Sequence, residues 1–228
     1  MSQRLIIRLI PIEVFAFCLL AGWLAMGGIR ALININGAVS VLPQAQAEVV
    51  VPAAGAAPAA GVGTLSPIFT PEVQHWASEI ASWAAAFQID PNLAATVMQI
   101  ESCGAPGVVS GSGAQGLFQV MPFHFAAGED MQDPNINASR GLAYLALGLQ
   151  RAGGNVGLAL AGYNGGHSQI GRDSSLWPNE TQRYWYWGTG IYQDVVNGEA
   201  QSGRLQEWMQ AGGASLCARA AEQIGLSQ

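Results

Sequence analysis

The chain has 228 residues, 11% of them charged and 50% apolar, with a formal net charge of −6. That length leaves one domain of ordinary size once the N-terminal segments are set aside, with enough chain to bury a real core. All 9 basic residues are arginine and they do not cluster, which argues against nucleic acid as a partner.

From Leu9 to Ile29 the chain reads LIPIEVFAFCLLAGWLAMGGI, with Glu13 its only charge. This is the length needed to cross a bilayer core. Arg4 and Arg8 precede it, so the positive-inside rule puts the N-terminus in the cytoplasm and exports the rest. A cleaved signal peptide is the competing reading, with Ala45-Gln46-Ala47 as a small-x-small site, but that site lies far past the apolar run. The expected divisions are 1–30 for the tip and membrane anchor, 31–67 for a linker rich in Ala, Pro and Gly, and 68–228 for the folded domain.

Beyond Ser66 the punctuation is helical. Thr70-Pro71-Glu72 reads as a helix start, followed by an apolar stripe of Val73, Trp76, Ala77, Ile80, Ala84 and Phe87. Asp90-Pro91 opens a second helix that carries Leu93 to Glu101 and stops near Gly104. Asp133-Pro134 opens a third, with Ile136, Ala143, Tyr144 and Leu147 expected inward and Gly153-Gly154 at its end. Asn155 caps a short fourth. A longer helix is expected over 179–197, then two short ones near 204–210 and 216–224. Strand-like alternation is scarce, so the expected fold class is all-α.

Leu93, Val97 and Glu101 stand at i, i+4 and i+8, which places a carboxylate on an apolar helix face. Desolvation raises a carboxylate pKa, and the C-terminal end of a helix dipole pushes the same way. A glutamate tuned in this manner, to about 6–7, serves as a general acid near neutral pH. A two-carboxylate hydrolase would need a second acid about 5–9 Å away. The sequence offers Glu129, Asp130 and Glu180 without placing any of them. No spacing among the three cysteines resembles a metal site, and no cofactor is expected. Cys103 and Cys217 are the only cysteines of the exported part, where thiols oxidise, and are expected to form a disulfide.

Five motifs stand in order: IES at 100–102, GAQGLFQVMP at 113–122, the run from Asn135 to Leu145, GYNGG at 162–166 and NETQRY at 179–184. Together they resemble the soluble-lytic-transglycosylase type of peptidoglycan-cleaving enzyme. The resemblance implies a lysozyme-like catalytic domain that acts on peptidoglycan glycan strands. It implies a cut at the β-1,4 bond between N-acetylmuramic acid and N-acetylglucosamine that leaves a 1,6-anhydro sugar. Glu101 matches the family's catalytic glutamate.

By the same resemblance, Tyr163 and Asn164 match the tyrosine-asparagine loop beside the catalytic carboxyl. Gln119 matches a glutamine that contacts sugar amides, and Ser110 stands where the family has a site serine. Met121 lines the groove through its backbone carbonyl. Glu180 and Tyr184 match a cleft-wall motif. For each a plainer reading stays open: a packing tyrosine, turn-forming side chains, a first-turn acid. The sequence departs from the family at Phe118, where a methionine is usual, so a reshaped sugar floor is expected. His124 is read as structural. Of the aromatics in RYWYWG, Arg183 to Gly188, some are expected in the core and one or two on sugar rings. Rival functions are a hydrolytic muramidase like goose-type lysozyme, a non-catalytic wall-binding module, and a factor that opens wall gaps for a secretion machine. Protein partners are not legible in the sequence.

Overall fold

Short polar side chains followed by proline set where the helices begin. Asp90 accepts a hydrogen bond from the Asn92 amide at 2.9 Å, and Asp133 accepts from the amides of Asn135 and Ile136. Asn155 accepts from Leu158 N–H, and Ser202 from Leu205 N–H. Each satisfies donors that a helix start leaves without partners. The structure, a computed structural model, describes residues 65–226. Its helices are α1 (Pro71–Gln74), α2 (Ala77–Ala86), α3 (Pro91–Glu101), α4 (Pro134–Arg151), α5 (Val156–Gly165), α6 (Asn179–Val196), α7 (Gly203–Trp208) and α8 (Ala214–Ile224). Among the described residues there is no β-strand, only two isolated bridge pairings in the loop after α3.

Helix α3 is the axis of the fold. Seven consecutive residues, Leu93 to Gln99, are buried, so it is covered on every side by α1, α2 and α6. Its two buried polar side chains are satisfied. Thr96 donates to the Asn92 carbonyl, while Gln99 accepts from Thr70 N–H and directs its amide nitrogen at the Cys103 sulfur. Helix α5 packs between α4 and α6 and closes the domain over the end of α3.

Three expectations shift. The first helix is broken: α1 ends at Gln74 and α2 begins at Ala77. The break lets the Trp76 indole N–H donate to the Gly104 carbonyl at 2.9 Å, where a Cβ on Gly104 would meet the Glu72 carbonyl oxygen at 2.7 Å. Helix α4 is rotated from its expected phase, with Asn137, Ala138, Gly141, Leu142, Leu145 and Gly148 inward and Ala143 and Leu147 outward. Two glycines and an asparagine interrupt the apolar stripe of Ala138, Leu142 and Leu145 because neighbouring backbone and rings approach closely there. The packed region also begins earlier than 68: Leu65 is buried, and Ser66 N–H donates to Asn92 Oδ1 at 2.8 Å.

At the other end, a disulfide joins Cys103, just past α3, to Cys217 in α8, with the Cα atoms 5.0 Å apart. Gly225, at φ 73°, stops α8 in the left-handed conformation common at helix ends. Among the described residues no helix is long and apolar enough to cross a membrane. The expected span at 9–29, and the linker up to residue 64, lie outside the described residues.

Candidate active site

Glu101 is the last residue of α3, and the chain behind it is fixed. The Ser102 hydroxyl donates to the Leu117 carbonyl at 2.7 Å and accepts from Gly104 N–H. Burial pushes the Glu101 carboxyl from its ordinary 4.5 up to about 8, and the charge of Glu180 adds to the rise. The Tyr184 hydroxyl, which faces that carboxyl, pulls the other way. It makes no hydrogen bond of ordinary geometry and is a buried polar atom without a partner. Tyr163 and Tyr184 lie nearly parallel, ring centroids 6.5 Å apart. Both phenols are held well above their usual range, first by burial and then by the Glu101 charge. The Tyr163 hydroxyl donates to the Phe118 carbonyl at 2.8 Å.

The loop of residues 108–121 folds on itself through main-chain bonds. Gln115 and Val120 exchange N–H···O bonds at 3.0 Å, and Gly116 N–H reaches the Val108 carbonyl. Asn137, fully buried on α4, grips this loop from below. Its amide donates to the carbonyls of Gln115 and Met131 at 2.7 and 2.8 Å, and its oxygen accepts from Phe118 N–H. Gly116, at φ 74°, has no room for a Cβ against this asparagine. Gly141 is equally constrained, since a Cβ there would lie 2.6 Å from the Phe118 Cβ. Removing the grip by Asn137→Ala strands three backbone groups, one buried and two half-buried, so the expected loss is about 3 kcal/mol of folding stability. Chemical denaturation of the two proteins measures it.

A cavity of about 280 Å³ opens between this loop, α4 and the end of α5, lined by Gln119, Met121, Phe123, Tyr144, Tyr163 and Asn164 among others. Gln119 is held at φ 46°, a conformation that a residue with a side chain adopts under local constraint. Both donor contacts of its amide go to loop carbonyls, Val108 at 3.1 Å and Gly116 at 3.0 Å, so its oxygen is what remains for a ligand. Asn164 accepts from the Thr181 hydroxyl at 2.9 Å. The Met121 carbonyl accepts from His124 N–H.

Of the residues singled out in the sequence, the structure brings Glu101, Tyr163, Glu180 and Tyr184 together around one carboxyl, and Gln119, Met121 and Asn164 onto the cavity beside Tyr163. Ser110 is not on the cavity. Its hydroxyl accepts from Ala114 N–H at 2.9 Å and closes the turn. Phe118 is wholly buried and turns its carbonyl, not its ring, toward Tyr163. Sequence reasoning passed over Ser102, Asn137 and Gly141, whose importance depends on tertiary partners. It also set aside His124, which stands on the cavity wall between Phe123 and Tyr144, at ring distances of 4.6 and 4.7 Å. The other acids are engaged: Glu129 pairs with Arg140, and Asp130 accepts from Gln132 N–H. Among the described residues the one cluster of metal-type donors is Glu72, Cys103 and Cys217, whose sulfurs are spent in the disulfide.

Residues 78–185, which hold all of this geometry from Glu101 to Tyr184, match the family described as the transglycosylase SLT domain. A transglycosylase of Enterobacteria phage PRD1 is 37% identical over 48% of this chain and 40% of its own length. An endo-type membrane-bound lytic murein transglycosylase A of Klebsiella pneumoniae is 33% identical over 36% of this chain and 49% of its own. The chain therefore spans about half or less of the curated relatives it matches. An inactive mutant of the lytic transglycosylase Slt from Pseudomonas aeruginosa aligns at 22% identity and TM-score 0.43, covering 53% of this chain and 24% of that one. By the match at 78–185, that stretch of the chain is similar to the transglycosylase SLT domain.

Proposed function

We propose that the chain is a peptidoglycan lytic transglycosylase with a lysozyme-like domain, and that Glu101 acts first as general acid and then as base. One observation carries the reading: a single carboxyl, raised to about 8, is flanked by the buried Tyr184 and by the half-buried Tyr163, which lines the neighbouring cavity. Protonated at neutral pH, Glu101 gives its proton to the glycosidic oxygen as the C1–O4 bond breaks. The resulting carboxylate takes the proton of the muramyl C6 hydroxyl, and O6 closes on C1. Glu101 ends protonated and no water is consumed. The unpartnered Tyr184 hydroxyl is available to donate to the carboxylate in between. Gln119 and Asn164 present amide groups to N-acetyl substituents, Met121 and Tyr163 shape the wall, and Glu180 keeps the Glu101 proton in place. Ser110 serves the loop.

Mass analysis of the products tests the reaction. Each glycan end is expected as a 1,6-anhydromuramyl residue, lighter by one water than the reducing end a hydrolase leaves. Reducing ends would instead favour the muramidase reading, with Glu180 as the second acid. The pH profile tests the acid. Because the proton must be on Glu101 when substrate arrives, kcat/KM is expected to fall as pH rises past about 8, where the free carboxyl loses it. An alkaline limb two units lower would mean that the burial seen at Glu101 does not govern its titration.

The same reading places the domain outside the cytoplasm, tethered by residues 31–67 to a membrane helix at 9–29. Support comes from the apolar run bracketed by Arg8 and Arg30. Fractionation decides: a mature chain beginning at Glu48 would mean cleavage and secretion instead.

A further inference from the structure

Helix α6 has two working faces. Thr181, Tyr184, Gly188 and Ile191 point inward, and Tyr184 reaches Glu101. On the outer side lie two adjoining clefts of about 510 and 420 Å³, which share Ser174, Trp177 and Trp185 and have no residue in common with the cavity beside Glu101. Trp185 and Tyr186 are 39% and 42% exposed, yet both are held in place. Trp185 packs edge-on against Trp177 at 6.1 Å, and Trp177 donates its indole N–H to the Gln169 carbonyl. Tyr186 has one ring face covered by the Arg204 guanidinium at 3.5 Å, and its hydroxyl donates to Glu207. Two large aromatics are thus fixed at the surface instead of folded away.

The rim supplies the complementary chemistry. Asn179 and Gln182 offer amides, Ser174 and Ser175 hydroxyls, and Arg172 and Arg183 guanidiniums that make no ion pair among the described residues. Fixed rings stack on the C–H faces of sugars. Amides and hydroxyls match hydroxyl and N-acetyl groups, and the two arginines match carboxylates in a chain that is otherwise acidic. We propose that this outer face of α6 is a second glycan site, which holds a carboxylate-bearing, N-acetylated glycan strand away from the point of cleavage. The inference rests on the functional reading above, since the ligand is the same polymer. An enzyme that grips its substrate on a rear face stays on an insoluble mesh between cuts, and each cut need not hold it there.

The full-length chain in detergent tests this by co-sedimentation with purified insoluble peptidoglycan, in a Glu101→Gln background so that binding is read without turnover. The variants are Trp185→Ala with Tyr186→Ala, and Arg183→Glu alone. With the aromatic pair removed, affinity for the wall is expected to fall about tenfold, equivalent to about 1.4 kcal/mol. Arg183→Glu is expected to lower it as well. With Glu101 intact, both variants are expected to cleave a short soluble tetrasaccharide at the wild-type rate. Wall affinity unchanged in both variants overturns the second site and leaves the catalytic reading standing. A parallel loss on the soluble tetrasaccharide also overturns it, because the face then belongs to the catalytic groove. Should the aromatic variant lose its helical circular dichroism, Arg183→Glu decides alone, since it alters one exposed side chain. A wild-type chain that neither cleaves nor sediments with the wall sinks the functional reading itself.

Discussion

Glu101→Gln is expected to lower the release of muropeptides from purified wall by about 10⁴-fold. General acid–base catalysis is worth about 10²–10⁴, and a residue used in both half-steps sits at the upper end. Glutamine keeps the shape and loses the proton. The fold should gain from the change, in a pH-dependent way. A carboxyl raised from 4.5 to about 8 keeps its proton in the folded state where the unfolded chain has lost it. Folding stability of the wild type therefore declines as pH rises through that window. The variant is free of this decline, so its advantage should be absent near pH 4 and grow to on the order of a few kcal/mol by pH 8. Urea titrations at the two pH values read the difference. A glutamine variant that cleaves at the wild-type rate removes Glu101 from the mechanism and makes Glu180 the next carboxyl to replace.

The second large effect is expected at the disulfide. Cys103 and Cys217 are 114 residues apart, and cross-linking a loop of that size restrains the unfolded chain by about 4–5 kcal/mol in the entropy model. Replacing both by serine is expected to lower Tm by roughly 10–20 °C, given about 2–4 °C per kcal/mol for a domain of this size. Activity at low temperature should survive, because the sulfurs touch Gln99 and Thr70 and not the cavity. Differential scanning calorimetry with a parallel cleavage assay separates the two. A shift under a few degrees would mean that the packing of α1 on α8 already holds the ends together.

Helix starts were legible because cap chemistry is local: Asp90-Pro91, Asp133-Pro134 and Asn155 each act within three residues. The place of the Glu101 carboxyl at the end of α3 was legible too, since the phase of Leu93, Val97 and Glu101 is a property of one helix. The phase of α4 was not. Its inward face contains Asn137, Gly141 and Gly148, and polar or small residues are buried there only because the loop backbone, Phe118 and His167 press against them. No hydropathy pattern carries that information. The same holds for Ser110 and Gln119, whose motif positions are alike in sequence. Only the folded loop shows that one hydroxyl closes a turn while the other side chain lines the cavity. Leu65 looked like linker because one leucine after an Ala/Gly/Pro run has no period, and its burial depends on partners far along the chain.

Because Glu101 ends a helix buried along its whole middle, the hydrophobic core is also the mount of the acid. A carboxyl on a surface loop can be re-aimed by its neighbours. This one can be re-aimed only by turning a rod whose every side is clasped. Tolerance to mutation is therefore distributed against intuition. In the proposed mechanism, buried positions away from the cavity, such as Leu93 and Val97, act as set-screws on the direction of proton transfer, while much of the exposed outer surface is free to drift.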